Sequence, residues 1–268
     1  MRGITIEVDI THRCNLACHH CNRLCNADAN YGIKRSVVDM DMRHIDYLIS
    51  EVKKLPKGSV RLIRILGGEP LLSEIIINAT QAFINLIKEG VIEELNIVTN
   101  GTVKVPETCK PYVVYAPQIV KQMVREKGLV TPCDIYAIKN TKHRNITVSP
   151  VDYDLEYDVC DRVKECGIHY TVFGFSYTAP CFPSIVVSPR NHKYFFHKLP
   201  HEVNHLIDEH FREEVCSICC FAIVQYKLLV ENYPYIKDPQ FYGNEWSKRI
   251  TTNQEFYIEP DTSWINNI

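Results

Sequence analysis

Four cysteines crowd one stretch near the start of the chain, "DITHRCNLACHHCNRLC" at residues 9–25. Cys14, Cys18 and Cys21 follow a CxxxCxxC spacing, Cys25 comes shortly after, and His19 and His20 precede the third cysteine. Thiolates this dense suit three kinds of chemistry: a disulfide knot, a zinc site or an iron–sulfur cluster. Three of them on one loop can hold three corners of a cubane cluster and leave the fourth iron without a protein ligand. A structural zinc site needs a fourth ligand, which His19, His20 or Cys25 could supply.

The composition narrows the choice. The chain has 268 residues, 46% apolar and 23% charged, with a formal net charge of −2. Such a chain is long enough for one large domain with a small appendage. It has no basic block, so nucleic acid is not indicated as a partner. The longest apolar runs, such as "SEIIINATQAFINLI", are broken by polar residues, so no membrane span is expected. Met1 leads directly into "GITIEVDI" without the regions of a signal peptide, and the expected location is cytoplasmic. In a reducing compartment, twelve cysteines point to metal or redox chemistry ahead of disulfides.

Several elements must position the cysteine loop. "GITIEVDI" (3–10) reads as a buried strand that ends at the loop. Met42, Ile45, Leu48, Ile49, Val52 and Leu55 recur at helical spacing, which predicts an amphipathic helix over 41–55. "SVRLIRIL" (59–66) is a second strand closed by Gly67 and Gly68, and Ser73 can cap a helix that runs to Gly90. "EELNIVT" (93–99) is a third strand, stopped by Asn100 and Gly101. Further on, 117–127 and 153–165 are candidate helices, and 133–139 and 145–150 candidate strands. The alternation predicts an α/β fold with a parallel sheet of about six βα units, too few for a closed eight-stranded barrel. The cysteine loop then lies at the C-terminal end of the first strand, where parallel α/β sheets bind ligands.

With "GGEP" at 67–70 after the second strand and "TNG" at 99–101 closing the third, the chain resembles the radical S-adenosylmethionine (SAM) enzymes. The resemblance implies a partial (β/α)6, TIM-like barrel with a [4Fe–4S] cluster on Cys14, Cys18 and Cys21. It implies SAM bound along the strand ends by His20, Gly67, Gly68, Glu69, Pro70, Thr99, Asn100 and Ser149. Glu69 would accept a hydrogen bond from the SAM ammonium, and the glycines would let backbone approach the ligand closely. A reduced cluster would cleave SAM to methionine and a 5′-deoxyadenosyl radical, which takes a hydrogen atom from substrate. Taken singly, "GGEP" and "TNG" also read as ordinary turns; their joint placement carries the resemblance.

After residue 165 the strand–helix alternation fades and cysteines, prolines and aromatics become dense. The expected division is a core at 1–165, a cysteine-rich region at 166–230 and a tail at 231–268. "ECGIHYTVFGFSYTAPC" reads as a hairpin, with Tyr170, Phe173, Phe175 and Tyr177 in its core and Gly174 at its turn. Cys166, Cys181, Cys216 and Cys219 form a four-thiolate set that resembles the auxiliary-cluster extensions, SPASM and twitch, of the same superfamily. Gly174 sits farther from Cys181 than in those extensions, and the full SPASM cysteine series is absent. The resemblance implies a second [4Fe–4S] cluster; zinc on the same thiolates, or buried unliganded thiols, are the competing readings. Cys160 and Cys220 could substitute for a ligand, Cys109 and Cys133 look structural, and Cys25 stays open.

"PHEVNH" places His201, Glu202 and His205 in an HExxH pattern, the mark of zinc hydrolases, but so short a motif arises readily by chance. Arg13, Lys139, Ser149 and Asp152 are cavity candidates, with a helix cap the simpler reading of Asp152. The expected substrate is a nucleotide or other small molecule. A peptide is the alternative, disfavoured because no peptide-recognition domain precedes the barrel. A radical SAM reaction also implies an electron donor such as flavodoxin or ferredoxin. A non-catalytic zinc-binding module is the distant rival.

Overall fold

The computed structural model describes residues 3–16, 23, 25, 38–115, 167–177, 191–199 and 261–267. The candidate helices at 117–127 and 153–165 and the candidate strands at 133–139 and 145–150 lie outside the described residues. The chain divides into two compact units, Met1–Asn15 with Val37–His143, and Leu16–Ser36 with Arg144–Ile268.

In the first unit, strands β1 (Ile4–Asp9), β2 (Val60–Leu66), β3 (Ile92–Thr99) and β4 (Val113–Tyr115) lie in the spatial order β4-β3-β2-β1. Every neighbouring pair is parallel, with Asp9 opposite Leu66, Ile65 opposite Ile97, and Thr99 opposite Tyr115. Consecutive residues Ile6, Glu7, Val8 and Asp9 are all buried, so β1 is covered on both faces. Unbroken burial of this kind is what a parallel sheet flanked by crossover helices requires. Among the described residues these strands do not close into a barrel.

The helices of this unit are α1 (Met42–Lys53) and α2 (Ile76–Lys88). Ile45, Leu48 and Val52 of α1, and Ala79, Phe83 and Leu86 of α2, are almost wholly buried at helical spacing. Asp41 starts α1 through a capping box: its carboxylate accepts from the Arg43 amide at 3.0 Å, and the His44 ring returns to the Asp41 amide. The entry to α2 differs from the sequence expectation. Pro70–Leu72 form a 3-10 turn, Ser73 is extended at its end, and α2 begins at Ile76 after Ile75, without a side-chain cap. Glu69 caps the preceding turn through the Leu71 amide, and this local bond displaces Ser73 from the capping role. Gly90, with φ +67°, ends α2 as expected.

In the second unit, β5 (Ile168–Thr171) and β6 (Gly174–Tyr177) make the expected antiparallel hairpin. Tyr170, Phe173 and Phe175 are at most 1% exposed, as hairpin core residues should be. Phe175 exchanges two backbone hydrogen bonds with Phe196, and the Trp264 indole N–H donates to the Val172 carbonyl at 2.7 Å. No described helix is long and apolar enough to cross a membrane.

Candidate active site

Parallel strands bring their C-terminal ends to one edge, so the segments after β1, β2 and β3 must meet there. The residues after β1 hold those after β2 by backbone bonds: the Gly68 amide donates to the Thr11 carbonyl and the Glu69 amide to the Arg13 carbonyl, both at 2.8 Å. A Cβ on Gly67, where φ is +134°, would lie 2.3 Å from the Thr11 carbonyl oxygen. One on Gly68 would lie 2.0 Å from the Arg13 oxygen and 3.0 Å from the Cys14 Cβ. The close approach these glycines allow is therefore to the backbone that carries Cys14.

Glu69 joins the second strand end to the third. Its carboxylate is fully buried and accepts three hydrogen bonds: Oε1 from the Thr99 hydroxyl (2.7 Å) and the Leu71 amide (3.1 Å), Oε2 from the Asn100 amide (2.7 Å). Burial pushes the Glu69 pKa up, and the bonds from Asn100, Thr99 and Leu71 act against that rise. The family resemblance leads one to expect Glu69 beside a ligand ammonium; the linkage to "TNG" seen here is a role that no spacing rule reveals.

The third strand end returns to the first through side chains. The Asn100 amide nitrogen donates to Asn15 Oδ1 at 2.9 Å and lies 4.0 Å from Cys14 Sγ. Asn15 in turn donates to the Thr102 hydroxyl at 2.6 Å. Asn15 and Thr102 were absent from the sequence candidates, although their polar side chains directly flank Cys14 and Gly101. Asp39, also missed, accepts from Thr11 Oγ1 and from Arg13 Nε. Arg13, a cavity candidate, is thus held by Asp39, with Glu74 at 3.6 Å.

Cys14, Gly67, Gly68, Glu69, Pro70, Thr99 and Asn100 come together at this edge. Cys18, His20, Cys21 and Ser149 lie outside the described residues, as do Cys166, Cys181, Cys216 and Cys219. So do Cys133, Cys160, Cys220, Lys139, Asp152 and the His201–Glu202–His205 motif. Cys109 is wholly buried, 3.5 Å from the Thr80 hydroxyl, and burial raises its thiol pKa. That is the environment of an inert structural thiol. Cys25 is buried too, its sulfur 3.9 Å from the Arg23 carbonyl oxygen.

Among the described residues at this edge, Cys14 is the one donor of the kind an iron–sulfur cluster takes, and no described group of three or more ligand-type side chains forms a metal site. Cys14 offers a soft sulfur at the strand edge with a side-chain N–H beside it, the surroundings such clusters favour. Ser73 Oγ, buried at the end of the Glu69 turn, has no hydrogen-bond partner among the described residues.

These features define a parallel α/β protein with a cysteine-bearing site at its strand C-termini. Residues 8–172, more than half of the chain, match the radical SAM superfamily, and the chain belongs to that superfamily. The family implies a [4Fe–4S] cluster and SAM. Curated relatives named GTP 3′,8-cyclase share 29% identity over 97 residues in Nitrobacter winogradskyi and 30% over 96 residues in Clostridium perfringens. A probable GTP 3′,8-cyclase of Methanothermobacter marburgensis shares 31% over 99 residues. These matches cover 36–37% of this chain and only 26–28% of the relatives. Among solved structures, BtrN in complex with AdoMet and 2-DOIA aligns over 84% of this chain and 96% of its own. The identity is 13% and the TM-score 0.41, a loose likeness.

Proposed function

We propose that this chain is a radical SAM enzyme in which Cys14, Cys18 and Cys21 hold a [4Fe–4S] cluster. When bound, that cluster supplies the electron that splits SAM into methionine and a 5′-deoxyadenosyl radical able to take hydrogen from a substrate. The observation that carries this reading is the convergence of Cys14, the Gly67–Pro70 turn and the Thr99–Gly101 turn at one sheet edge, locked by the buried Glu69 carboxylate.

The chain's own residues do the positioning. Gly67 and Gly68 let the second turn pack on the cysteine segment, and Glu69 fixes the "TNG" turn against it. His20, Pro70, Thr99, Asn100 and Ser149 complete the proposed SAM contacts. The substrate we propose is a nucleotide or similarly small molecule, supported by relatives whose name specifies GTP. Cys166, Cys181, Cys216 and Cys219, in the 166–230 region that follows a core at 1–165, would hold a second [4Fe–4S] cluster. An electron donor of the flavodoxin or ferredoxin kind would reduce the first.

The test is anaerobic incubation of iron-loaded protein with SAM and dithionite. Formation of 5′-deoxyadenosine that disappears in Cys14→Ala supports the reading, and no 5′-deoxyadenosine from a fully loaded protein contradicts it. Repeating the reaction with deuterated nucleotides and looking for deuterium in 5′-deoxyadenosine tests the substrate class. Transfer from deuterated peptides alone would favour the peptide alternative.

A further inference from the structure

Asn100 has its side chain fixed by a closed ring of hydrogen bonds. Its Oδ1 accepts from the Thr102 backbone amide at 2.9 Å and from the Thr102 hydroxyl at 2.5 Å. A backbone N–H can only donate, so the oxygen of the carboxamide must face Thr102 and its nitrogen must face the other way. That nitrogen carries two hydrogens. One reaches Asn15 Oδ1 at 2.9 Å, and the nitrogen itself lies 4.0 Å from Cys14 Sγ. Asn15 closes the ring by donating to the Thr102 hydroxyl, whose single hydrogen is already given to Asn100. The backbone of Asn100 is pinned as well, through its amide to the buried Glu69 carboxylate.

Asn100 as a whole is 5% exposed, so water competes poorly for the second N–H. A simple turn would need only the Thr102 half of this arrangement. The Asn15 half holds a donor nitrogen 4.0 Å from the one thiol of the site that the structure describes.

We infer that Asn100 is a positioning residue that donates an N–H to the Cys14 sulfur when that sulfur ligates iron, and so raises the reduction potential of the cluster. The inference rests on the proposed role of Cys14 as a cluster ligand. Hydrogen bonds to ligand sulfurs stabilise the reduced, more negative cluster and are among the factors that set its potential. The fixed orientation matters because a donor already in place costs little to order.

The experiment is a spectroelectrochemical titration of the SAM-free, iron-loaded protein, comparing wild type with Asn100→Leu and Thr102→Val. Leucine nearly matches asparagine in shape but has no donor. Valine at 102 leaves the Asn100 amide present but removes one of the two bonds that hold its oxygen. The expected result is a midpoint potential shifted to more negative values in Asn100→Leu, with a smaller shift of the same sign in Thr102→Val. Equal potentials in all three proteins at equal iron content overturn the inference, and a positive shift in Asn100→Leu does the same. Should Asn100→Leu load no cluster, Thr102→Val decides on the same criterion. The titrated low-potential cluster is first assigned in Cys14→Ala: if it persists there unchanged, the Cys14 ligand reading fails instead, which separates the two claims.

Discussion

Single residues at the strand edge can be tested by small changes. Glu69→Gln keeps the shape of the side chain but puts an NH2 group against donors of the same chain. If its oxygen stays with Thr99 and Leu71, the Asn100 amide is left facing another N–H. A buried donor without a partner costs about 1–3 kcal/mol. Urea unfolding of the cluster-free protein should show a loss of that order, with poorer cluster loading as a second consequence. Unchanged stability would mean the carboxylate bracket is not a structural tie. Gly68→Ala is a harsher probe, since the new Cβ would sit 2.0 Å from the Arg13 oxygen. The backbone must move to admit it, and overpacking of this kind costs about 1–3 kcal/mol. We expect Gly68→Ala to lose SAM binding by equilibrium dialysis and to retain less iron than wild type. Wild-type values for both would show that the two turns need not touch. The sequence made both residues visible as candidates but not their partners. Glycine after a strand announces a close approach without saying to what, and a glutamate in a turn does not reveal which donors surround it.

Elements hold these residues in register, and helix α1 is the most directly testable. Burial acts to raise the Asp41 pKa, but the hydrogen bonds from Arg43 and the adjacent His44 ring outweigh it and lower the carboxyl from 3.8 to about 2. The folded value lies below the unfolded one, so the unfolded state binds the proton more readily. Asp41 therefore stabilises α1 fully above pH 3.8, and its contribution fades as pH falls toward about 2. His44 acts in the same direction: burial lowers its pKa, despite Asp41, so protonation below its ordinary 6.5 favours the unfolded state. Asp41→Asn keeps a good cap but cannot titrate. Its unfolding free energy should fall less than wild type between pH 4 and pH 2, measured in urea at matched ionic strength. Parallel curves would show that Asp41 is not a pH-sensitive cap. The boundaries of β1, α1 and β2 were legible because apolar periodicity ran uninterrupted into a turn residue or a cap. The start of α2 was not, since Ser73 had every feature of a cap except the geometry: Pro70 and Glu69 had already built a 3-10 turn that leaves Ser73 extended.

At the scale of the molecule, the parallel order of β1 to β3 could be anticipated because strands and helices alternated, which leaves crossover connections as the economical topology. Strand β4, reached from β3 without an α-helix, was not among the candidate strands. The hairpin of β5 and β6 was legible from its aromatic alternation around Gly174. What anchors it was not: Trp264 reaches the Val172 carbonyl across 92 positions of sequence, and no local pattern predicts such a contact. The site shares this division. Residue types and spacing pointed to Cys14, Gly67, Gly68, Glu69 and Asn100, whereas Asn15, Asp39 and Thr102 emerged only from the way three strand ends meet.

The central claim is that the first three cysteines hold the cluster on which the chemistry depends. It is tested most directly by iron and sulfide content in anaerobically reconstituted protein, wild type beside Cys14→Ala, Cys18→Ala, Cys21→Ala combined. The account predicts about eight irons per chain falling to about four, one cubane for each cysteine set. Iron that stays unchanged in the triple variant, or zinc in place of iron in both proteins, would contradict it.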